Sequence, residues 1–165
     1  MDVRVGLGMD FHRLVPGRRL VLGGVELAGP LGLDGHSDAD VLAHAVCDAL
    51  LGAARLGDIG RHFPPGDPQF RDISSIELLR RVLVALGEAG YEPFQVDAVV
   101  VAEEPPLATY VPAMEARMAE VLALRPGQVS VKATTSEGMG ALGRGEGMGA
   151  WAVALIQTAA TRPKT

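Results

Sequence analysis

The chain has 165 residues, 48% of them hydrophobic and 21% charged, which is ordinary for a folded domain and excludes an intrinsically disordered chain. Its formal net charge of −5 works against a nucleic-acid backbone as partner, because such affinity comes from clustered Lys and Arg. Cys47 is the lone cysteine, so no internal disulfide can form, and no apolar run reaches transmembrane length. The expectation is a cytoplasmic protein with one domain over residues 1–160, a frayed tail over 161–165, and neither membrane nor nucleic acid as partner.

In chain order, Val3 to Phe11 reads as a strand, Pro16-Gly17 as a turn and Leu20 to Leu22 as a second short strand. Ser37 and Asp40 have the spacing of a capping box ahead of a helical pattern from Asp38 to Leu56 that Gly57 ends. The polar, proline-marked stretch from Asp58 to Asp72 reads as a loop long enough to serve a site. Ser74 and Ser75 open a helix through Ala89, Val96 to Ala102 reads as a buried strand, and a third helix is expected from Leu107 to Leu124. Strands at Val129 to Thr134 and Met148 to Ile156 flank a glycine-rich loop. The runs from Val96 to Val101 and from Ala150 to Ile156 are apolar on both alternating faces, so both faces need cover. The pattern predicts an α+β fold: four main strands in a largely apolar sheet, helices on one face, and sister subunits of a homo-oligomer on the other.

Asp10 and His12, two apart on a strand, leave the same face of the sheet, and His44 can join them from the first helix. Asp40 and Asp48 lie one turn either side of His44 and complete a polar stripe on an apolar helix. Two imidazoles and a carboxylate suit a catalytic zinc with one open position. Asp10 and His12 taken singly read as surface or hydrogen-bonded residues rather than ligands, and adding His44 balances the two readings. His36 precedes a helix N-terminus, where anions are favoured, though by itself it reads as solvent-facing. From Lys132 the chain runs K-A-T-T-S-E-G-M-G-A-L-G-R-G-E-G. Thr134 and Thr135 can donate hydrogen bonds to phosphate, Glu137 can hold a second hard cation and Arg144 can pair with an anion, while a plain glycine-rich hairpin is the competing reading. Glu103-Glu104-Pro105-Pro106 reads as solvated charge before a helix, and Cys47 as a small buried hydrophobe.

Taken as an ordered set, G-M-D-F-H at 8–12, G-H-S-D-A-D-V-L-A-H at 35–44, D-A-L-L-G-A-A-R-L-G-D-I-G at 48–60 and V-K-A-T-T-S-E followed by G-R-G-E-G resemble the 2-C-methyl-D-erythritol 2,4-cyclodiphosphate synthases of the non-mevalonate isoprenoid pathway. The resemblance covers Val3 to Gln157 and implies a monofunctional member, without the cytidylyltransferase fused to it in some bacteria. It implies Asp10, His12 and His44 as ligands of one Zn2+ per subunit, and His36 with Ser37 as substrate contacts. Asp58, Ile59, Gly60 and the loop Phe63 to Asp67 are implied around a methylerythritol phosphate. Ala102, Pro105, Leu107 and Ala108 with Thr134, Thr135, Ser136 and Glu137 are implied around a cytidine diphosphate, and Mg2+ or Mn2+ with the diphosphate on Glu137.

The family implies a homotrimer with active sites between subunits, and an axial channel for an isoprenoid diphosphate with Arg144 and Glu146 at its mouth. Pro65, Pro106, Ser136 and Ala141 depart from the common pattern, where an acidic residue, lysine, threonine and phenylalanine are frequent. The implied reaction is intramolecular phosphoryl transfer, with His36 and Thr135 stabilising the transition state. Its rivals are a metal-dependent phosphodiesterase and a nucleotide- or isoprenoid-binding regulator without chemistry.

Overall fold

The structure is a computed structural model and describes residues 2–159; the tail expected over 161–165 lies outside them. Strands β1 (Val3–Pro16), β2 (Leu20–Leu22), β3 (Val25–Leu27) and β4 (Leu31–Leu33) come first, followed by helices α1 (Val41–Ala53) and α2 (Ile59–His62) and a 3-10 turn at Pro68–Phe70. Helix α3 (Ser75–Glu88), strand β5 (Tyr91–Val101), helix α4 (Val111–Leu122), strand β6 (Val129–Thr134), helix α5 (Gly140–Gly143) and strand β7 (Gly147–Thr158) complete the order.

The main sheet has five strands in the order β4-β1-β7-β5-β6, not the four expected. It is mixed: β5 and β6 run parallel, and the other neighbours are antiparallel. The extra strand, β4, is only Leu31-Gly32-Leu33 and pairs with an extension of β1 past Phe11, too short for alternation to reveal. β2 and β3 form a separate hairpin around Gly23-Gly24, with φ of 58° and 74°. That is the two-residue turn geometry that favours glycine at both central positions.

Asp40, not Ser37, caps α1, and its side chain accepts the Ala43 N–H. The loop expected between residues 58 and 72 contains α2 and the 3-10 turn, and α4 starts at Val111 rather than Leu107. Asp58 and Asp67 cap the two short elements, accepting from Arg61 N at 2.8 Å and Gln69 N at 3.1 Å. The glycine-rich segment likewise holds a single short helix, α5.

Alternation along the strands separates the two faces. Gly6 and Gly8 of β1, Val96, Ala98 and Val100 of β5, and Met148, Ala150, Ala152, Ala154 and Ile156 of β7 are buried beneath the helices. Leu42, Leu50 and Leu51 of α1, each fully buried, complete this core, and burying each such side chain is worth about 1.5–3 kcal/mol. The opposite face carries Val3, Val5, Leu7, Met9 and Phe11, all at least half exposed.

Two glycines fix how α1 lies on the sheet. A Cβ on Gly6 would overlap the Ala49 carbonyl oxygen, and one on Gly8 would overlap that of Ala45 and stand 2.6 Å from the Ala49 nitrogen. Two strand residues advance about 6.6 Å and four helix residues about 6 Å, so the contacts stay in step along the two elements. Continuing from Gly6 under Ala49 and Gly8 under Ala45, the next upward-facing strand residue is Asp10, beneath the turn that carries His44. Gly8→Ala is therefore expected to destabilise the fold by about 2–3 kcal/mol, because the colliding atoms are backbone. Chemical denaturation checks this, and a midpoint equal to wild type would show that α1 does not depend on the close approach.

Candidate active site

Asp10 and His12 stand on β1, facing the helices, and His44 comes down from α1. Asp10 Oδ2 lies 2.8 Å from His12 Nε2 and 3.0 Å from His44 Nδ1, and the two imidazole nitrogens are 3.2 Å apart. These three residues form a group able to hold a metal ion. The separations come within a few tenths of an ångström of the tetrahedron edge, about 3.3 Å, set by zinc bonds near 2.0 Å. One oxygen and two imidazole nitrogens therefore suit a divalent cation in both chemistry and spacing.

The remaining ring nitrogens are engaged. His12 Nδ1 donates to the Asp34 carbonyl at 2.6 Å, which leaves Nε2 facing Asp10. Gly35 keeps that ring in place by having no side chain, since a Cβ there would stand 2.9 Å from His12 Cε1. His44 Nε2 lies 2.9 Å from Ser75 Oγ and 3.1 Å from Ser37 Oγ. Burial raises the Asp10 pKa, but hydrogen bonds and charge from His12 and His44 outweigh it and lower it to about 2. His12 moves the opposite way: burial lowers its pKa, and Asp10 raises it above the ordinary histidine value.

The acidic stripe flanking His44 divides in the structure. Asp40 turns away from the cluster and accepts the Gly23 and Gly24 N–H groups at 2.9 and 2.7 Å, fastening the β2–β3 turn to α1. Asp48 accepts the Ile59 N–H at 2.7 Å and draws α2 toward the cluster. A cavity of about 230 Å³ results. Asp10, His12, His36, Ser37 and His44 line its polar end, and Ile59, Gly60, Phe63, Pro65 and Phe70 form an apolar wall. Phe63 and Phe70 stack edge to face at 5.3 Å. His36 Nε2 donates to the Asp67 carbonyl at 3.2 Å, so Asp67 reaches the site through its backbone.

The other expected contacts gather elsewhere. Val101 pairs with Thr134 at the ends of parallel β5 and β6, and the Ala102 N–H donates to the Thr134 carbonyl at 3.0 Å. Thr134, Thr135, Glu137 and Ala108 are exposed there, Ser136 is half-buried, and Ala102 and Leu107 are buried. Thr135 Oγ1 donates to Glu137 Oε1 at 3.2 Å. Pro105 and Arg144 line a separate cavity of about 460 Å³, and Arg144 Nε donates to Glu146 at 2.6 Å. None of these residues lines the cavity above Asp10, His12 and His44.

Some residues that build the site gave little sequence signal. Glu103, expected to be merely solvated, accepts Ser136 N and Oγ, each at 2.9 Å, and these bonds hold its pKa below the usual value. Ser75 reads as a helix start, and only the fold brings it to His44. Gly6 and Gly8 interrupt an apolar strand, which marks a close backbone approach without naming the partner.

The YgbB family pattern matches residues 3–157. The chain belongs to the YgbB family. A 2-C-methyl-D-erythritol 2,4-cyclodiphosphate synthase from Symbiobacterium thermophilum is 60% identical over 152 residues, covering 92% of this chain and 97% of that protein. Among solved structures, a 2C-methyl-D-erythritol-2,4-cyclodiphosphate synthase in a CDP-bound form superposes with a TM-score of 0.86 at 34% identity, covering 93% of this chain and 100% of the other. The bifunctional IspDF from Campylobacter jejuni superposes with a TM-score of 0.92 at 39% identity, and the match covers 96% of this chain but 43% of that one.

Protons and a divalent cation would compete for this cluster in a definite sense. Asp10, with its pKa lowered to about 2, stays ionised, whereas His12, with its pKa raised, takes up a proton above the usual histidine range as pH falls. Affinity for a divalent cation is therefore expected to drop from pH 8 to 5.5, by about tenfold per unit for each proton displaced. Competition with a chelator across that range checks it, and a flat profile would contradict the ligand assignment.

Proposed function

We propose that the chain is a metal-dependent cyclase converting 4-diphosphocytidyl-2-C-methyl-D-erythritol 2-phosphate to 2-C-methyl-D-erythritol 2,4-cyclodiphosphate and CMP, in isoprenoid precursor biosynthesis. The observation that carries it is the convergence of Asp10, His12 and His44 on one cavity in a chain of this family. Those three residues would hold Zn2+, and Glu137 would hold Mg2+ or Mn2+ with the diphosphate. The metals supply positive charge to the phosphate oxygens.

An oxygen of the 2-phosphate forms a bond to the β-phosphorus. The bond from that phosphorus to the oxygen bridging the α-phosphate breaks, and CMP leaves with the electron pair. A phosphate nucleophile needs no general base, so alignment and charge cancellation carry the rate. His36 and Thr135 stabilise charge on the transferring group. Ser37, Asp58, Ile59, Gly60, Phe63 and Asp67 hold the methylerythritol phosphate against the apolar wall. Ala102, Pro105, Leu107, Ala108, Thr134, Ser136 and Arg144 serve the cytidine diphosphate.

A homotrimer brings the two groups of residues together, each site joining the metal cavity of one subunit to the Thr134–Glu137 segment of its neighbour. Two observations support that assembly. Within one chain no residue of the nucleotide-side group lines the cavity above Asp10, His12 and His44, and the sheet exposes Val3, Val5, Leu7, Met9 and Phe11 in a row with Val153 on the paired strand. The same assembly encloses an axial channel for an isoprenoid diphosphate, with Arg144 and Glu146 at its mouth. The domain spans residues 1–160, and the reaction is cytoplasmic.

Phosphorus NMR of the enzyme with substrate, zinc and magnesium is expected to show CMP and a cyclic diphosphate, whereas hydrolysed products would favour a phosphodiesterase. His36→Ala and Thr135→Ala should each lower kcat about 10²–10³-fold, measured in the same assay, and unchanged rates would remove them from the mechanism. Sedimentation in dilute solution should give a trimer; a monomer with full activity would overturn the shared site.

A further inference from the structure

We infer that Ser75 and Asp38 are positioning residues that fix the tautomer of His44 and so aim its Nδ1 at the metal. This rests on the metal-centre reading above. Ser75 is fully buried, and its Oγ lies 2.9 Å from His44 Nε2. On its other side the same hydroxyl bonds the Asp38 carboxylate, which also accepts the Ser75 N–H at 3.0 Å.

The direction of the chain follows from donor counting. An ionised carboxylate only accepts, so the Ser75 hydroxyl proton is committed to Asp38. What Ser75 offers His44 is then a lone pair, and Nε2 must carry the ring proton. That reserves the Nδ1 lone pair for a bound cation, on the side where Nδ1 stands 3.0 Å from Asp10 Oδ2 and 3.2 Å from His12 Nε2. His12 is set in the opposite sense, with Nδ1–H on the Asp34 carbonyl and Nε2 free. The two histidines thus present different nitrogens to one point, each through a partner on its far side. Ser37 Oγ, 3.1 Å from His44 Nε2, also accepts the Ala39 N–H and lies 3.4 Å from Ser75 Oγ, so it backs the contact without an acidic acceptor of its own.

The test is zinc affinity by chelator competition on the full chain, for wild type, Ser75→Ala and Asp38→Ala, with ¹⁵N NMR of the histidine rings and unfolding of the zinc-free proteins. Both variants are expected to bind zinc about 10–100-fold more weakly, and wild-type His44 to carry its proton on Nε2. Unchanged affinity in a folded variant overturns the relay, because a role confined to starting α3 would move only the unfolding midpoint. A zinc-loaded wild type whose His44 carries its proton on Nδ1 overturns it as well, and needs no variant to fold. Wild type that binds no zinc sinks the metal centre itself, whereas zinc bound equally by all three sinks the relay alone.

Discussion

The close approach of α1 to β1 is the contact on which the site depends. Residues without side chains at Gly6 and Gly8 let the helix backbone rest on the strand, and any Cβ at either position meets a carbonyl of α1. Because strand pairs and helix turns advance by nearly equal steps, that contact also sets the register that brings His44 to Asp10 and His12. The packing of the core and the geometry of the candidate metal ligands are therefore one constraint. A helix held farther from the sheet would loosen that core and lose the cluster together.

Around that axis, carboxylates act as fasteners as much as ligands. Asp40 ties the β2–β3 turn to the start of α1, Asp48 ties α2 to its middle, and Asp38 ties α3 to the loop preceding it. Each accepts backbone N–H groups, the arrangement that makes a buried or half-buried charge tolerable. Asp10 is the acidic member of the group able to hold a metal ion. The result is a rigid polar floor under an apolar wall, suited to orienting a phosphate against a bound cation while holding the carbon skeleton away from water.

Much of this was legible in the sequence where a local rule governs it. The period-two alternation of β1 and the D-x-H pair on it need only strand geometry, and the ordered motifs named the family that the YgbB match bears out. The failures occur where tertiary contacts decide. Ser37 and Asp40 both satisfy capping chemistry, and Asp40 wins because Gly23 and Gly24 also donate to it from a distant turn. β4 is three residues long and exists because β1 runs on to Pro16. Ser75 looks like any helix-opening serine until α3 is laid beside α1. Glu103 looks solvated until β6 runs parallel to β5 and brings Ser136 onto it.

The most direct measurement is anomalous diffraction at the zinc edge from crystals of the zinc-loaded protein. One strong peak is expected about 2.0–2.2 Å from Asp10 Oδ2, His12 Nε2 and His44 Nδ1, on the side facing the cavity. A peak bound through other atoms of these residues, or no peak between β1 and α1, would contradict it.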